Sequence, residues 1–549
     1  MYLDPEYRRR VISELVEHGN RTVAPSLGFD LVPVLAHALR ARAAEIRTGA
    51  VLVAVWVAFL LAPRLLPPVR PGSTPLQQLE RSVAESLSVD HLPVSSFAFL
   101  FALVCLLSWY GRTPAQRDRA LYPVTVTAPG SDLPRSSWTE AFAVLAGLAQ
   151  LGYLFLALTA LPSGHVDGVV FPVLLSIPVW VHRRVVARTI RHDLGRATFP
   201  TRPRAELPAS PRYRAVGAAI DHEQFSRLTV YDSAHPFLGA GKPYQPWSFA
   251  LELKRARSAP GSGPKPAPAP PMTAPPAADQ ELTARAVLDL IVPRLEALRR
   301  SAADTSRDRL KDLEIEEFVY LPVGPRREDV LRDPASVAAH LQHAVNEGAE
   351  RRRHFLRIRV GAWDEHIVLS VLMRVHTQGG LLVLEVVPHV LNPIRADYAR
   401  LADAVAQGDH TGTAGAGRSA VSAAVAGPAA IGALLRLGGG RPFGSLGPAA
   451  GPAVSLRELA AAPTVSLFQE LDISRYVKTI QERIIDGVRD SLRNEGYETG
   501  RFEQYIVQVH DGGVYIGAMS GGAVATGSGA SARHNSTSHP RGATGGGTT

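Results

Sequence analysis

The chain has 549 residues, with 59 Lys and Arg against 50 Asp and Glu, a net charge of +9 and a single cysteine. That length admits two to four domains, and the lone Cys105 excludes an intrachain disulfide and a thiolate-rich structural zinc site. Only Lys242, Lys254, Lys265, Lys311 and Lys478 are lysine, so the Arg content reads as the coding bias of a GC-rich bacterium, and no nucleic-acid partner is expected.

Met1 to Arg10 is charged and no apolar core follows at the usual distance, so no signal peptide is read there. Two amphipathic helices are predicted, from about Asp4 to His18 and from Asp30 to about Arg47, as an N-terminal cytoplasmic segment over 1–47. Four apolar runs then fill a transmembrane region over 48–182: Gly49 to Ala62, Val94 to Tyr110, Phe142 to Leu161 and Val169 to Val181. A spanning helix takes about 20 residues, which the first run reaches only if Arg64 snorkels. Trp109 and Tyr110 suit an interface, and Pro172 and Pro178 predict a kink in the last run.

The flanking arginines set an orientation. Arg40, Arg42 and Arg47 precede the first run, Arg112, Arg117, Arg119 and Arg135 lie between the second and third, and Arg183, Arg184, Arg188 and Arg191 follow the fourth. Positive charge stays inside, so the expected topology is two hairpins in the inner membrane with both termini cytoplasmic. No ionisable group sits mid-span; Gln150 is the main polar side chain, which argues against a transport path. The bundle is read as an anchor or sensor.

From Arg183 to Arg257 there are 14 Lys/Arg and six Asp/Glu, so the juxtamembrane segment 183–257 is expected to attract anionic lipid headgroups. Phe225 to Tyr231 and Trp247 to Leu253 read as short strands. Between them, Gly239-Ala-Gly-Lys242 invites a phosphate-loop reading, but Pro236 and Pro243 stand where glycine and Ser/Thr belong and a strand follows. A turn with an aromatic plug is the reading adopted.

Eight prolines between Pro260 and Pro276 make 258–279 a disordered Pro-rich linker. An α+β cytoplasmic module follows over 280–410: helices from Leu282 to Arg300 and Val337 to Val345, a strand over Leu313 to Leu321, and an antiparallel meander over Phe355 to Val360, Ile367 to Val375 and Leu381 to Val387. The meander's apolar face needs a helix or a second sheet over it. The Ala/Gly-rich segment 411–453 is read as flexible, with a fifth span over 419–435 as the alternative. In 454–510 the stripe Ile473, Val477, Ile480, Ile484, Val488 and Leu492 marks an amphipathic helix that packs on the sheet or self-associates. The tail over 511–549 is Gly-rich, repeat-like and read as disordered.

No catalytic, cofactor or metal residue is assigned. His340, His343, His354, His366, His376 and His389 lack metal-ligand spacing, and nucleophile-elbow, kinase and Walker motifs are absent, so the chain is not expected to be an enzyme. A deep pocket collecting His354, His376 and Arg357 would favour one.

The layout resembles a group of uncharacterised multi-pass membrane proteins of actinobacteria, especially the streptomycete type. The likeness rests on Leu3-Asp-Pro-Glu-Tyr7 with Ala24-Pro-Ser26, on Leu228-Thr-Val-Tyr231 with Pro236-Phe-Leu-Gly239 and Trp247-Ser-Phe249, and on Tyr476-Val477 with Asp486-Gly-Val-Arg489. The tail is similar to short repeats of bacterial multi-component and defence-related proteins. The resemblance implies no catalytic residues. The expected role is a non-catalytic scaffold or signal-coupling protein with a cytoplasmic protein partner or self-association; the alternative is a membrane-perturbing effector controlled by its cytoplasmic region.

Overall fold

The structure is a computed structural model, which describes residues 1–26, 28–62, 96–112, 137–163, 165–256, 282–305, 309–324, 326–347, 352–362, 366–408 and 449–504. The Pro-rich linker, the 419–435 stretch and the Gly-rich tail lie outside the described residues.

Helix α1 (Pro5–Ile12) starts where Pro5 needs no amide donor and the Asp4 carboxylate accepts from the Glu6 and Tyr7 amides. It ends in one π-helical turn, Ser13–Glu17. Helix α2 (Leu31–Leu60) is capped by Asp30 and runs for 30 residues. The boundary expected near Arg47 is absent, so the second N-terminal helix and the first apolar run are one rod, roughly 45 Å long. Its only proline, Pro33, lies in the first turn, where a missing amide donor costs nothing, and the lone Gly49 near the expected boundary costs only about 1 kcal/mol in a helix.

Helices α3 (Ser96–Tyr110), α4 (Ser137–Ala160) and α5 (Asp167–His192) complete the apolar bundle. Among the described residues three helices are long and apolar enough to cross a membrane: α2, residues 140–160 of α4, and α5. Helix α3 covers 15 residues, short of a span. Its packing is nonetheless inside the bundle: Phe101 and Tyr153 rings lie 5.1 Å apart, and Phe59 stacks on Phe171 at 4.9 Å. Outward, Leu103, Leu148, Leu151 and Phe155 are exposed, an apolar exterior that suits hydrocarbon rather than water. Gln150 donates to the Ser108 hydroxyl at 3.1 Å, so the polar pair is satisfied within the bundle. Helix α5 passes through Pro172 and Pro178 and continues to His192, beyond the expected end at Val181.

The remaining elements are α6 (Pro211–Glu223), β1 (Leu228–Val230), β2 (Lys242–Pro243), β3 (Trp247–Glu252), α7 (Ala284–Thr305), β4 (Glu314–Leu321), α8 (Pro334–Val345), β5 (Arg353–Ala362), β6 (Ile367–Gln378), β7 (Leu381–Leu391), α9 (Ala396–Gln407) and α10 (Leu467–Asn494). They build a mixed seven-stranded sheet of order β1-β4-β5-β6-β7-β2, with β3 also on β7. The meander β5-β6-β7 is antiparallel, while β1 runs parallel to β4. The sheet thus takes strands from both sides of the Pro-rich linker.

Alternation along the strands sorts the two faces. One face carries Leu356, Ile358, Val360, Leu369, Val371, Met373, Leu382 and Leu384, and α7 and α10 cover it with Leu288, Ile291, Ile480, Ile484 and Val488. The amphipathic stripe of α10 therefore packs on α7 and the sheet. Ser466 and Gln469 form a reciprocal capping box at its start. The α7–α10 crossing depends on Gly487, where an added Cβ would lie 2.6 Å from Ile291 Cγ1 and 2.9 Å from Ile291 Cα. Gly487→Leu is expected to push the helices apart and cost about 1–3 kcal/mol or more, read as a lower thermal midpoint of the detergent-solubilised protein. A midpoint equal to wild type would mean the crossing relaxes freely.

Candidate functional site at the juncture and the concave sheet face

Two places collect buried polar groups. The first is the juncture where the polar ends of α2 and α5 meet the sheet. Residues 449–462 form a strap between them. Its Ala453 and Val454 amides donate to Glu14 Oε1 at 2.8 and 3.3 Å, and its Leu456 carbonyl accepts from the Tyr7 hydroxyl at 2.9 Å. Leu456 itself is buried with Val11, Leu15, Leu35 and Ile220. Further on, Arg457 donates to the His366 and Asn392 carbonyls at 2.7 and 2.8 Å, and Ala461 bridges Ile394. Residues 449–453 thus belong to a fixed contact, although composition alone assigns them to a flexible segment.

Helix α9 clamps the same place from the other side. Val405 is buried with Tyr2, Leu3, Ala41, Val186, Ala187 and Ile190, and Arg191 donates to the Ala406 carbonyl at 2.7 Å. Tyr398 donates to Asp4 at 2.9 Å, and burial, followed by the Asp4 charge, raises the pKa of both Tyr398 and Tyr7, the latter to about 12. An ion pair between Arg8 and Glu45 fastens α1 to α2. Below it, Glu223 accepts from the Val23 amide and from Nε and Nη2 along one edge of the Arg327 guanidinium, each at 2.8 Å.

The second place is the sheet face opposite α7 and α10. Register puts Tyr320, Phe355, Leu372 and His389 on a diagonal across β4, β5, β6 and β7. Phe237, from the loop before β2, sits on that diagonal, with ring centroids 5.4, 5.1 and 5.2 Å from Tyr320, Phe355 and His389. One ring touching β4 and β7 together requires a curled sheet, so this face is concave and Phe237 is its plug. Burial raises the Tyr320 pKa to about 12 and lowers that of His389.

Gly239 and Gly241, at φ +103° and +101°, hold the plug loop. Their amides both donate to Glu458 Oε1 on the strap, at 2.7 and 2.9 Å. The Gly239-Ala-Gly-Lys242 piece is therefore an anion-binding backbone nest filled by the chain's own carboxylate. Sequence reading sees the glycines but not Glu458, which lies more than 200 residues away.

On the flank of the concave face, Arg357 pairs with Glu316 at 2.6 Å and covers the Phe318 ring at 3.9 Å, Arg359 pairs with Glu314, and Arg374 meets Glu385 at 3.4 Å. These cross-strand pairs neutralise most of the face. The histidines do not converge. His376 and Arg357 lie on the concave face, but His354 points to the helix-covered face, where it bonds Glu317 at 3.0 Å. His343 bonds its own helix at the Ala339 carbonyl, His340 lies against Arg352, and no group of His, Cys, Asp and Glu could hold a metal among the described residues.

Glu317 also takes a bidentate pair from Arg285 at 2.7 and 2.9 Å. Hydrogen bonding from His354, then from Arg285, lowers its pKa from 4.5 to about 2. A depressed carboxylate contributes stability above its unfolded pKa and loses it as pH falls through the folded one. Wild type is expected to lose about 3 kcal/mol between pH 4.5 and 2 from this group, and Glu317→Gln to flatten that part of the acid-unfolding curve. Identical acid limbs would remove Glu317 from the account.

Together these features define a bundle of apolar helices joined through a buried polar juncture to a curled mixed-sheet module. Residues 246–523 match the model of the AbeC-like domain, and the chain belongs to that family. The match begins at β3 and takes in β4 to β7, α7 to α10 and the strap, leaving β1 and β2 outside it. No curated protein and no solved structure matches the chain.

Proposed function

We propose that the chain is a multi-pass inner-membrane protein with four spans and both termini in the cytoplasm, acting without catalysis as a scaffold or signal-coupling component through its sheet module. One observation carries this reading. Helices α2 and α5 run unbroken from the apolar bundle into the juncture, where α9 and the strap seize them. A displacement of either helix along its axis is transmitted to the sheet, because close-packed interfaces are bistable rather than soft. The basic collar from Arg183 supports a contact with anionic lipid headgroups beside this lever, and the module faces a protein partner or a second copy.

Reporter fusions after Gly164 and after Arg191 are expected to read out on opposite sides of the membrane; same-side readings would overturn the topology. For the role, affinity capture of the full chain from solubilised membranes is expected to recover a stoichiometric partner, or a second copy, that is lost when the juncture is opened by Glu14→Ala with Tyr7→Phe. Loss of membrane potential on induced expression, with no partner in either state, would favour a membrane-perturbing effector instead.

A further inference from the structure

Beside the seat of the Phe237 plug, the concave face carries buried donors that no described residue uses. Ser370 is fully buried, and among the described residues neither its Oγ nor the buried Nε of Arg359 has a hydrogen-bond partner. Register makes them neighbours: Arg359 on β5 faces Ser370 on β6, and Ser370 faces His389 on β7. His389 is one of the three rings that hold Phe237. His389, one wall of this aromatic seat, therefore lies one to two strands, about 5–10 Å, from two unsatisfied donors. Buried donors left unpaired are destabilising, and an acceptor oxygen would relieve both.

We propose that this face is a binding site for an aromatic ring bearing an anionic group, and that Phe237 occupies its ring half in the resting chain. The ring would take the seat between Tyr320, Phe355 and His389. The anionic oxygens would accept from Arg359 Nε–H and Ser370 Oγ–H, while Arg359 keeps its Glu314 pair through Nη2. Phe237 leaves only if its loop does, and the loop is held by Glu458 through the Gly239 and Gly241 amides. Glu458 is thus the latch of the site. The proposal stands on the sheet face alone and does not rest on the coupling role.

The test uses the full chain in nanodiscs, with 2-naphthoate as probe and neutral 2-naphthamide as control, read by calorimetry or ligand-observed magnetic resonance. Phe237→Ala is expected to bind naphthoate about tenfold or more tighter than wild type, and tighter than it binds the amide by a similar factor, the range a charge-assisted hydrogen bond supplies. Adding Arg359→Met is expected to abolish the preference for the anion and leave the ring affinity. Glu458→Ala, which keeps Phe237 but frees its loop, is expected to give a smaller gain of the same kind and serves alone if the Phe237 variant does not fold. Equal affinity for acid and amide, a gain that survives Arg359→Met, or no gain in either unlatched variant would overturn the proposal.

Discussion

Replacing Glu223 by alanine is expected to destabilise the juncture by about 3–5 kcal/mol, the cost of breaking a buried ion pair from one side. Glu223 is almost wholly buried and neutralises Arg327 through two bonds of 2.8 Å, with Arg332 at 3.5 Å from the same carboxylate. Burial lowers the Arg332 pKa, and the Glu223 charge works against that shift. The same carboxylate also satisfies the Val23 amide, and Arg327 reaches the Gly19 carbonyl at 3.0 Å, so α6, the N-terminal segment and the stretch before α8 meet on one side chain. Glu223→Gln keeps an acceptor but not the charge and is expected to fall between wild type and alanine. Thermal unfolding and limited proteolysis of the solubilised protein provide the measurement, and an alanine variant as resistant as wild type would show that water reaches both guanidinium groups.

Gly241→Ala carries the second large effect, because two independent penalties act at one position. Its φ of +101° disfavours any side chain, and an added Cβ would lie 2.2 Å from the Val390 carbonyl oxygen and 2.6 Å from Leu391 Cα. These are backbone atoms of β7 and cannot rotate away. The loop must lift from the sheet, breaking both bonds to Glu458, at an expected cost of about 3 kcal/mol or more. Hydrogen exchange over 237–243 should then rise sharply. Gly324→Ala, at a site with nothing within 4 Å, is the matched control and is expected to stay within about 0.5 kcal/mol of wild type. Unchanged exchange in the Gly241 variant would mean the loop is not held as described.

What could be read from the chain follows the range of the forces involved. The period-2 alternation of Leu356, Ile358 and Val360 and the stripe from Ile473 to Leu492 are local signals, and both elements form where expected. Apolar length exposes α4, but α2 hides its continuity because its composition turns from polar to apolar without a break in backbone geometry. Helix α5 runs through Pro172 and Pro178, each lacking one donor, and its neighbours hold it as one helix by burying Phe171, Leu175 and Val179. β1 and β3 are legible as strands but not as members of the same sheet, since β3 pairs with β7 more than 100 residues away, and β2 reads as part of a turn. Glu458 and Glu14 look like ordinary surface carboxylates in the sequence. Only the fold turns one toward two glycine amides and the other toward the strap.

The bond between Tyr7 and the Leu456 carbonyl joins residues 449 positions apart. Helices α2 to α5 all leave the ribosome before the strap exists. At about 5–20 residues per second, the roughly 400 residues from the end of α2 to Leu456 take about 20–80 s to synthesise. Throughout that interval Val11, Leu15 and Leu35 lack the side chain that caps their core. The N-terminal helices are therefore made first and finished last, and a nascent chain halted before residue 449 should hold a chaperone that the full-length product releases.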